Sequence, residues 1–221
     1  MIIVEKGAWH KPRSMYPCRV HALAGSGVLP FDDDASAYGY LSAGTLSLEG
    51  MTVRAGQYFC LTRVGEGACA EYSGAAGMVV VRHGFKALNL VGGPLEASGR
   101  LVYIDGCSDT LLVSPPRLGD ASLNHLHFPP GIEQSFHIHP SIRAGMVVAG
   151  AGRASLGGGV ELPLRAGAVF VLDERERHRF CTDGDQMHIV AFHPDGDFGP
   201  TDENHPMKNR TLITPTRQGR G

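Results

Sequence analysis

The sequence predicts an all-β protein built as two tandem β-barrels. Three observations lead there: short apolar runs bounded by turn residues, a scarcity of long helical patterns, and a set of blocks that occurs twice. The runs include Leu101–Ile104, Thr110–Val113, Leu123–Phe128, Gly145–Val148, Ala168–Leu172 and His188–Phe192. Gly, Pro, Asp and Asn separate them, which is the pattern of many short strands in a sandwich or barrel. The chain has 221 residues, 30 of them glycine, with no triplet period; this fits frequent turns and excludes a collagen-like helix.

The repeat sets the organisation. Tyr38–Gly44 parallels Ala144–Gly150, Ala55–Leu61 parallels Ala166–Leu172, and Gly77–Val81 parallels Met187–Ala191, in the same order. Two copies of one barrel unit are expected, over residues 1–95 and 96–221, with a linker near Val91–Arg100 marked by Gly92-Gly93-Pro94 and Ser98-Gly99. The copies differ in chemistry. The alignment sets Phe31 opposite His137, Asp33 opposite His139, Ala37 opposite Arg143 and Gly67 opposite His178. The first copy is therefore expected to be a metal-free structural half, or a cover for the second. Asp32-Asp33-Asp34 lacks the spaced oxygens and later Glu of a calcium loop and is expected to be an exposed acidic turn.

Composition removes several classes of function. The net charge is −2 and basic residues are scattered, so nothing suggests nucleic acid as a partner. No apolar run has the length of a membrane-spanning helix, and Met1–Lys6 lacks the layout of a secretion signal. The five cysteines, Cys18, Cys60, Cys69, Cys107 and Cys181, are odd in number and have no Cys-x-x-Cys spacing. That argues against a disulfide framework or structural zinc and for a reducing cytoplasm.

The chemistry concentrates in His137-Ile138-His139 and His178. On a strand, a His-x-His pair puts both imidazoles on one face. A third imidazole from a neighbouring strand closes a three-nitrogen face around a metal and leaves positions open for other ligands. Three neutral imidazoles leave a divalent ion its full charge, and nitrogen donors suit iron(II), zinc, nickel, copper and cobalt.

These residues carry a resemblance to the cupin superfamily. The first cupin motif reads here Gly131, five residues, His137-Ile138-His139, Pro140-Ser141-Ile142, Arg143, six residues, Gly150; the second reads Gly167, five residues, Asp173-Glu174-Arg175, two residues, His178. The match spans about residues 120–195, and with the ligand-free copy it implies a bicupin of two jelly-roll barrels. Two departures stand out: Arg143 falls where the family usually has a Glu ligand, and Asp173 and Arg175 replace the usual Pro and Gly. The resemblance thus implies metal ligation by His137, His139 and His178 only. A three-histidine face is similar to the iron site of thiol dioxygenases and β-diketone-cleaving dioxygenases, which favours iron(II), with Zn, Ni, Mn or Cu as alternatives. The resemblance also implies a homodimer.

Other residues are candidates for the same site. Arg143 either clamps an anionic substrate beside the metal or points out of the barrel mouth. His188, expected across a hairpin from His178, is the candidate fourth ligand or proton relay, with register deciding which face it takes. His125 and His127 form a second His-x-His, either outside the ligand set near the metal or as partly buried strand residues with ordinary partners. Cys107, near Tyr103, is either a redox partner or a buried small residue. The polar tail bearing Asp202, His205 and Arg210 is a lid or a surface arm, and Thr216–Gly221 is expected to fray. The leading function is a mononuclear non-haem iron oxygenase acting on a small anionic metabolite. The alternatives are a zinc or nickel isomerase or hydrolase, and a barrel that binds a small ligand without turnover.

Overall fold

A computed structural model gives the fold and describes residues 1–5, 7–30, 34–62 and 69–212. Sixteen strands follow one another: β1 (Ile2–Val4), β2 (Gly7–Lys11), β3 (Cys18–Leu29), β4 (Ser36–Leu48), β5 (Met51–Arg54), β6 (Tyr58–Thr62), β7 (Ala70–Arg82), β8 (Leu90–Gly92), β9 (Leu101–Val102), β10 (Ser108–Val113), β11 (Ser122–Phe128), β12 (Arg143–Leu156), β13 (Glu161–Arg165), β14 (Val169–Leu172), β15 (His178–Cys181) and β16 (Met187–His193). A single 3-10 turn, Ile104–Gly106, is the only helical element among the described residues. The all-β expectation holds.

Two jelly-roll-like sheets result. One has the order β2-β3-β7-β4-β6-β8 with β5 on β4; the other has β1-β14-β12-β16-β11-β10-β9 with β13 and β15 on β12. The repeat seen in the sequence is a repeat of pairing. β4 pairs with β6 and β7, and β12 pairs with β14 and β16, in the same register: Ala37 faces Leu61 as Arg143 faces Leu172, and Gly39 faces Phe59 as Gly145 faces Phe170. In each copy the phenyl ring lies over the glycine, so a Cβ there would come within 2.9 Å of Phe59 Cζ or 2.4 Å of Phe170 Cζ. Each copy also bulges just beyond, between Leu41 and Ala43 and between Val147 and Ala149.

The sheets are not divided as the sequence suggests. Ile2–Val4 pairs with Val169–Val171 of the second sheet, while Gly7–Lys11 pairs with β3 of the first. The first residues therefore strap the two barrels together.

Packing on both faces explains the unbroken apolar run Met78–Val81. Val79 and Val81 point into the first barrel with Leu41, Leu46 and Phe59, while Met78 and Val80 point the other way. There they meet Leu123, Met146, Val190 and Phe192 from the second barrel. Sheets buried on both faces read as continuous hydrophobic stretches. The first barrel is filled by its own side chains, and among the described residues it groups no metal ligands. Phe31, Asp33 and Gly67, the aligned counterparts of the three histidines, lie outside the described residues, as do Asp32 and Thr216–Gly221.

Gly150, which closes the first motif, has φ of +73°, and a Cβ there would meet Gln186 O at 1.8 Å. Backbone cannot retreat as a side-chain tip does. Gly150→Ala is expected to destabilise the protein by about 2 kcal/mol or more, from left-handed strain and overpacking together, read as a lowered urea midpoint.

Candidate metal centre

His137 and His139 do not lie in a regular strand, as the sequence suggests, but on an extended segment held by two isolated bridges. Glu133 pairs with Cys181 and His137 with His178. The second bridge is doubly hydrogen-bonded, His137 N to His178 O at 2.9 Å and His178 N to His137 O at 3.0 Å. Arg175 N donates to His139 O at 2.7 Å. The extended backbone still delivers the period-two alternation, so both rings face inward with His178.

The three rings form a compact group. Centroids are 4.4 Å apart for His137 and His178, and 5.1 Å for each pair with His139. One ring nitrogen from each lies within 4.8 Å of the other two. Backbone carbonyls orient two of the rings: Nδ1 of His137 donates to Ser135 O at 2.9 Å, and Nδ1 of His178 to Glu176 O at 2.8 Å. A carbonyl only accepts, so the proton sits on Nδ1 and the lone pair on Nε2. His178 Nε2 is buried and has no partner in the protein. Burial, with the neighbouring charges, holds His139 and His178 down to about 3, so both rings stay neutral as metal ligation requires. A buried lone pair without a donor, on a three-nitrogen face, is what a divalent transition-metal ion fits.

The loop that carries His178 is tied to the start of the chain. Lys11 Nζ meets Asp173 Oδ1 at 2.5 Å, Ser14 Oγ donates to Glu174 Oε1 at 3.0 Å, and the amino group of Met1 pairs with Glu176.

The histidine face opens onto a cavity of about 60 Å³. Leu126, Phe128, Phe170, Leu172, Phe180 and Ile189 make its apolar wall, and Tyr103, Asp109, Asn124, Gln134, Arg143 and His193 supply polar groups. Arg143 lies in this wall and not out at the mouth. Its Nη1 donates to Ser141 Oγ at 2.5 Å and Ile142 O at 2.9 Å and stands 3.4 Å from Asp195 Oδ1, while its Nε is buried and unpartnered. His193 lies one alternation beyond Ala191 on β16; burial, then Arg143 and His139, push its pKa well below the usual value.

His188 is not at the centre. It faces away from the cavity, pairing across strands with His127, and its Nδ1 lies 3.0 Å from His125 Nε2. The expected hairpin with His178 does not form: the long β12 bends at its bulge and takes β16 on its first part and β15 on its second, so His178 pairs with Leu156 and His188 with Ala149. His125 and His127 share this outer face; His127 Nε2 contacts Gln186 Oε1 at 3.1 Å. Cys107 is a buried thiol behind the wall, its Sγ accepting from Gln134 Nε2 at 3.5 Å and its pKa pushed up to about 11 by burial. Asp202, His205 and Arg210 do not line the cavity; from the segment after β16, Asp195 pairs with the cavity-lining Arg143.

Sequence reasoning passed over Asp109, Asn124, Gln134 and His193. The alternation of β11 held the signal, since Asn124, Leu126 and Phe128 share the inner face and Asp109 lies opposite Leu126.

Two buried histidines away from the centre make stability fall in acid. Burial, the largest cause in each, lowers His21 and His125 to about 4 from an ordinary 6.5. The unfolded chain takes up these protons near pH 6.5 and the folded one only near 4. Stability is thus complete above pH 6.5 and drains between 6.5 and 4, by a few kcal/mol on the order of one per unit and per group after allowing for solvent relaxation. Thermal melts between pH 7.5 and 4.5 should show it, and His125→Asn should flatten the fall.

The barrel, the bridged histidine segment and the inward lone pairs define a jelly-roll protein with a three-histidine face. Residues 124–193 match the model of the cupin domain family. This match lies wholly in the second barrel, which is similar to cupin domains in sequence and in fold. No curated protein matches it. Solved structures share the fold. A cupin 2 conserved barrel domain protein from Leptotrichia buccalis superposes with a TM-score of 0.58 at 15% identity, over 86% of this chain and 91% of that one. A putative glyoxylate-induced protein from Pseudomonas aeruginosa gives 0.57 at 17% identity, over 88% and 81%. A salicylate 1,2-dioxygenase from Pseudaminobacter salicylatoxidans gives 0.57 at 11% identity, over 81% and 70%.

Proposed function

We propose that the protein is a mononuclear non-haem iron oxygenase that acts on a small anionic metabolite. The observation that carries this reading is the convergence of His137, His139 and His178 on a small, mostly apolar cavity whose wall holds an arginine with a buried, unpartnered Nε. Iron(II), when bound, supplies a redox-active Lewis acid for oxidation of the substrate by dioxygen. His137, His139 and His178 hold it, and the carbonyls of Ser135 and Glu176 keep two of their rings in the right tautomer. Arg143 meets the anionic group of the substrate with the Nε that now lacks a partner. The phenyl rings of Phe128, Phe170 and Phe180 keep water out. His188 has no part in this site. That the same fold serves a salicylate 1,2-dioxygenase agrees with the reading. All five cysteines are free, which suits a reducing cytoplasm, and a homodimer would cover exposed sheet edges.

A non-redox reading rests on one feature, the donor set. Three neutral nitrogens with open positions also describe catalytic zinc, which would polarise a carbonyl for isomerisation or hydrolysis. Elemental analysis of protein purified without added metal separates the two. The oxygenase reading is tested by anaerobic iron loading followed by oxygen uptake on adding small carboxylates and enolic acids; iron-loaded protein that consumes no oxygen with any of them overturns it. Arg143→Met is expected to weaken binding of the active acid by about 10- to 100-fold, with Arg143→Lys between, because a lysine cannot reproduce the guanidinium fork. Calorimetric titration reads both.

A further inference from the structure

The cavity holds a second charge that the oxygenase reading leaves unused. Asp109 lies on β10 opposite Leu126, on the inner face, and lines the same space as the three histidines. Its carboxylate accepts from Asn124 Nδ2 at 2.8 and 3.1 Å, and among the described residues that neutral amide is its only side-chain partner. No Lys, Arg or His among them forms an ion pair with it. Arg143 does not serve: it forms an ion pair with Asp195 and none with Asp109. Even partial burial of a carboxylate without a cation is costly, and the half-buried position raises the Asp109 pKa. Asp109 is not one of the grouped metal ligands. Arg143 and Asp109 stand near enough to Tyr103 to act on its phenol in opposite senses. The polar wall therefore carries both signs, an unpartnered guanidinium nitrogen from Arg143 on β12 and a carboxylate without an ion pair from Asp109 on β10.

From this juxtaposition we infer that the substrate is zwitterionic, an amino-acid-like molecule whose anionic group meets Arg143 and whose ammonium meets Asp109. This inference rests on the three-histidine reading, since the same cavity must hold the metal. A plain carboxylic acid would satisfy Arg143 and leave Asp109 without a cation in direct contact. A hydroxyl in place of the ammonium would give Asp109 a hydrogen bond but no neutralisation. The cavity's small size and phenyl-rich wall restrict the link between the two charges to a short apolar spacer.

The test uses the full chain loaded with zinc, so that binding is read without turnover. Zinc uptake is measured first. Titration calorimetry then compares 3-aminopropanoate, 4-aminobutanoate and 5-aminopentanoate with propanoate, butanoate and pentanoate. The expected result is that at one chain length at least the amino acid binds about tenfold or more tighter than its matched acid. Asp109→Asn should erase that preference, while Arg143→Met should weaken both members of the pair. If no amino acid exceeds its acid, or if the preference survives Asp109→Asn, the inference is overturned while the metal reading stands. If the protein takes up no zinc, and His137→Ala changes nothing, both fall together. Should the Asn variant fail to fold, the wild-type series decides alone.

Discussion

Replacing His178 with alanine is expected to abolish stoichiometric metal binding while the barrel stays folded. His178 is one of three ligands and sits at the buried end of the group, with an exposed fraction of 1%. Its loss leaves two imidazoles from a single segment, with no group across the bridge to close the face. Changing residues that merely orient ligands costs about 10- to 100-fold in metal affinity, so losing a ligand should cost more than that. The fold loses little. The side chain's one hydrogen bond, to Glu176 O, is worth about 1 kcal/mol, and the substitution also removes a buried nitrogen that has no partner. Equilibrium dialysis with elemental analysis measures the first effect and circular dichroism the second. His188→Ala is the contrast: it lies on the other face and should bind metal as the unaltered protein does. Equal metal content in wild type and His178→Ala would remove the centre from these residues.

The largest loss of stability is expected from Phe192→Ala. Phe192 is fully buried between the barrels, its ring 5.1 Å from that of Tyr38. Truncating a buried phenylalanine costs about 3–5 kcal/mol, through lost transfer energy and the cavity left behind. In a chain of this size that lowers the melting temperature on the order of 10 °C. Because the same cluster holds Val20, Met78 and Val80 of the first barrel, both halves should melt earlier and together, in one transition. A calorimetric trace with two separate transitions, the first-barrel one unmoved, would show the interface to be incidental.

Much of the fold is legible in the sequence, for reasons that particular residues make plain. The Gly-Phe packing at Gly39 and Phe59 recurs at Gly145 and Phe170, so the order of residues alone carries the repeat. The three histidines are legible because motif spacing fixes which bridge they share. His188 is misplaced by sequence reasoning because local pattern does not reveal that a long strand bends at a bulge and serves different partners on its two parts. Asp109 and His193 escape because neither belongs to a spaced motif; only the closed barrel brings them into one wall.

The strap made by Ile2–Val4 has a consequence for how the molecule comes to exist. The strap finds its place only against Val169–Val171, a segment far along the sequence, and until that segment is made it waits unpaired. The half bearing the histidines is thus finished only when these two distant segments meet. A fragment beginning at residue 96 would display the open border of Val169–Leu172, a slot that a strand from another molecule can fill.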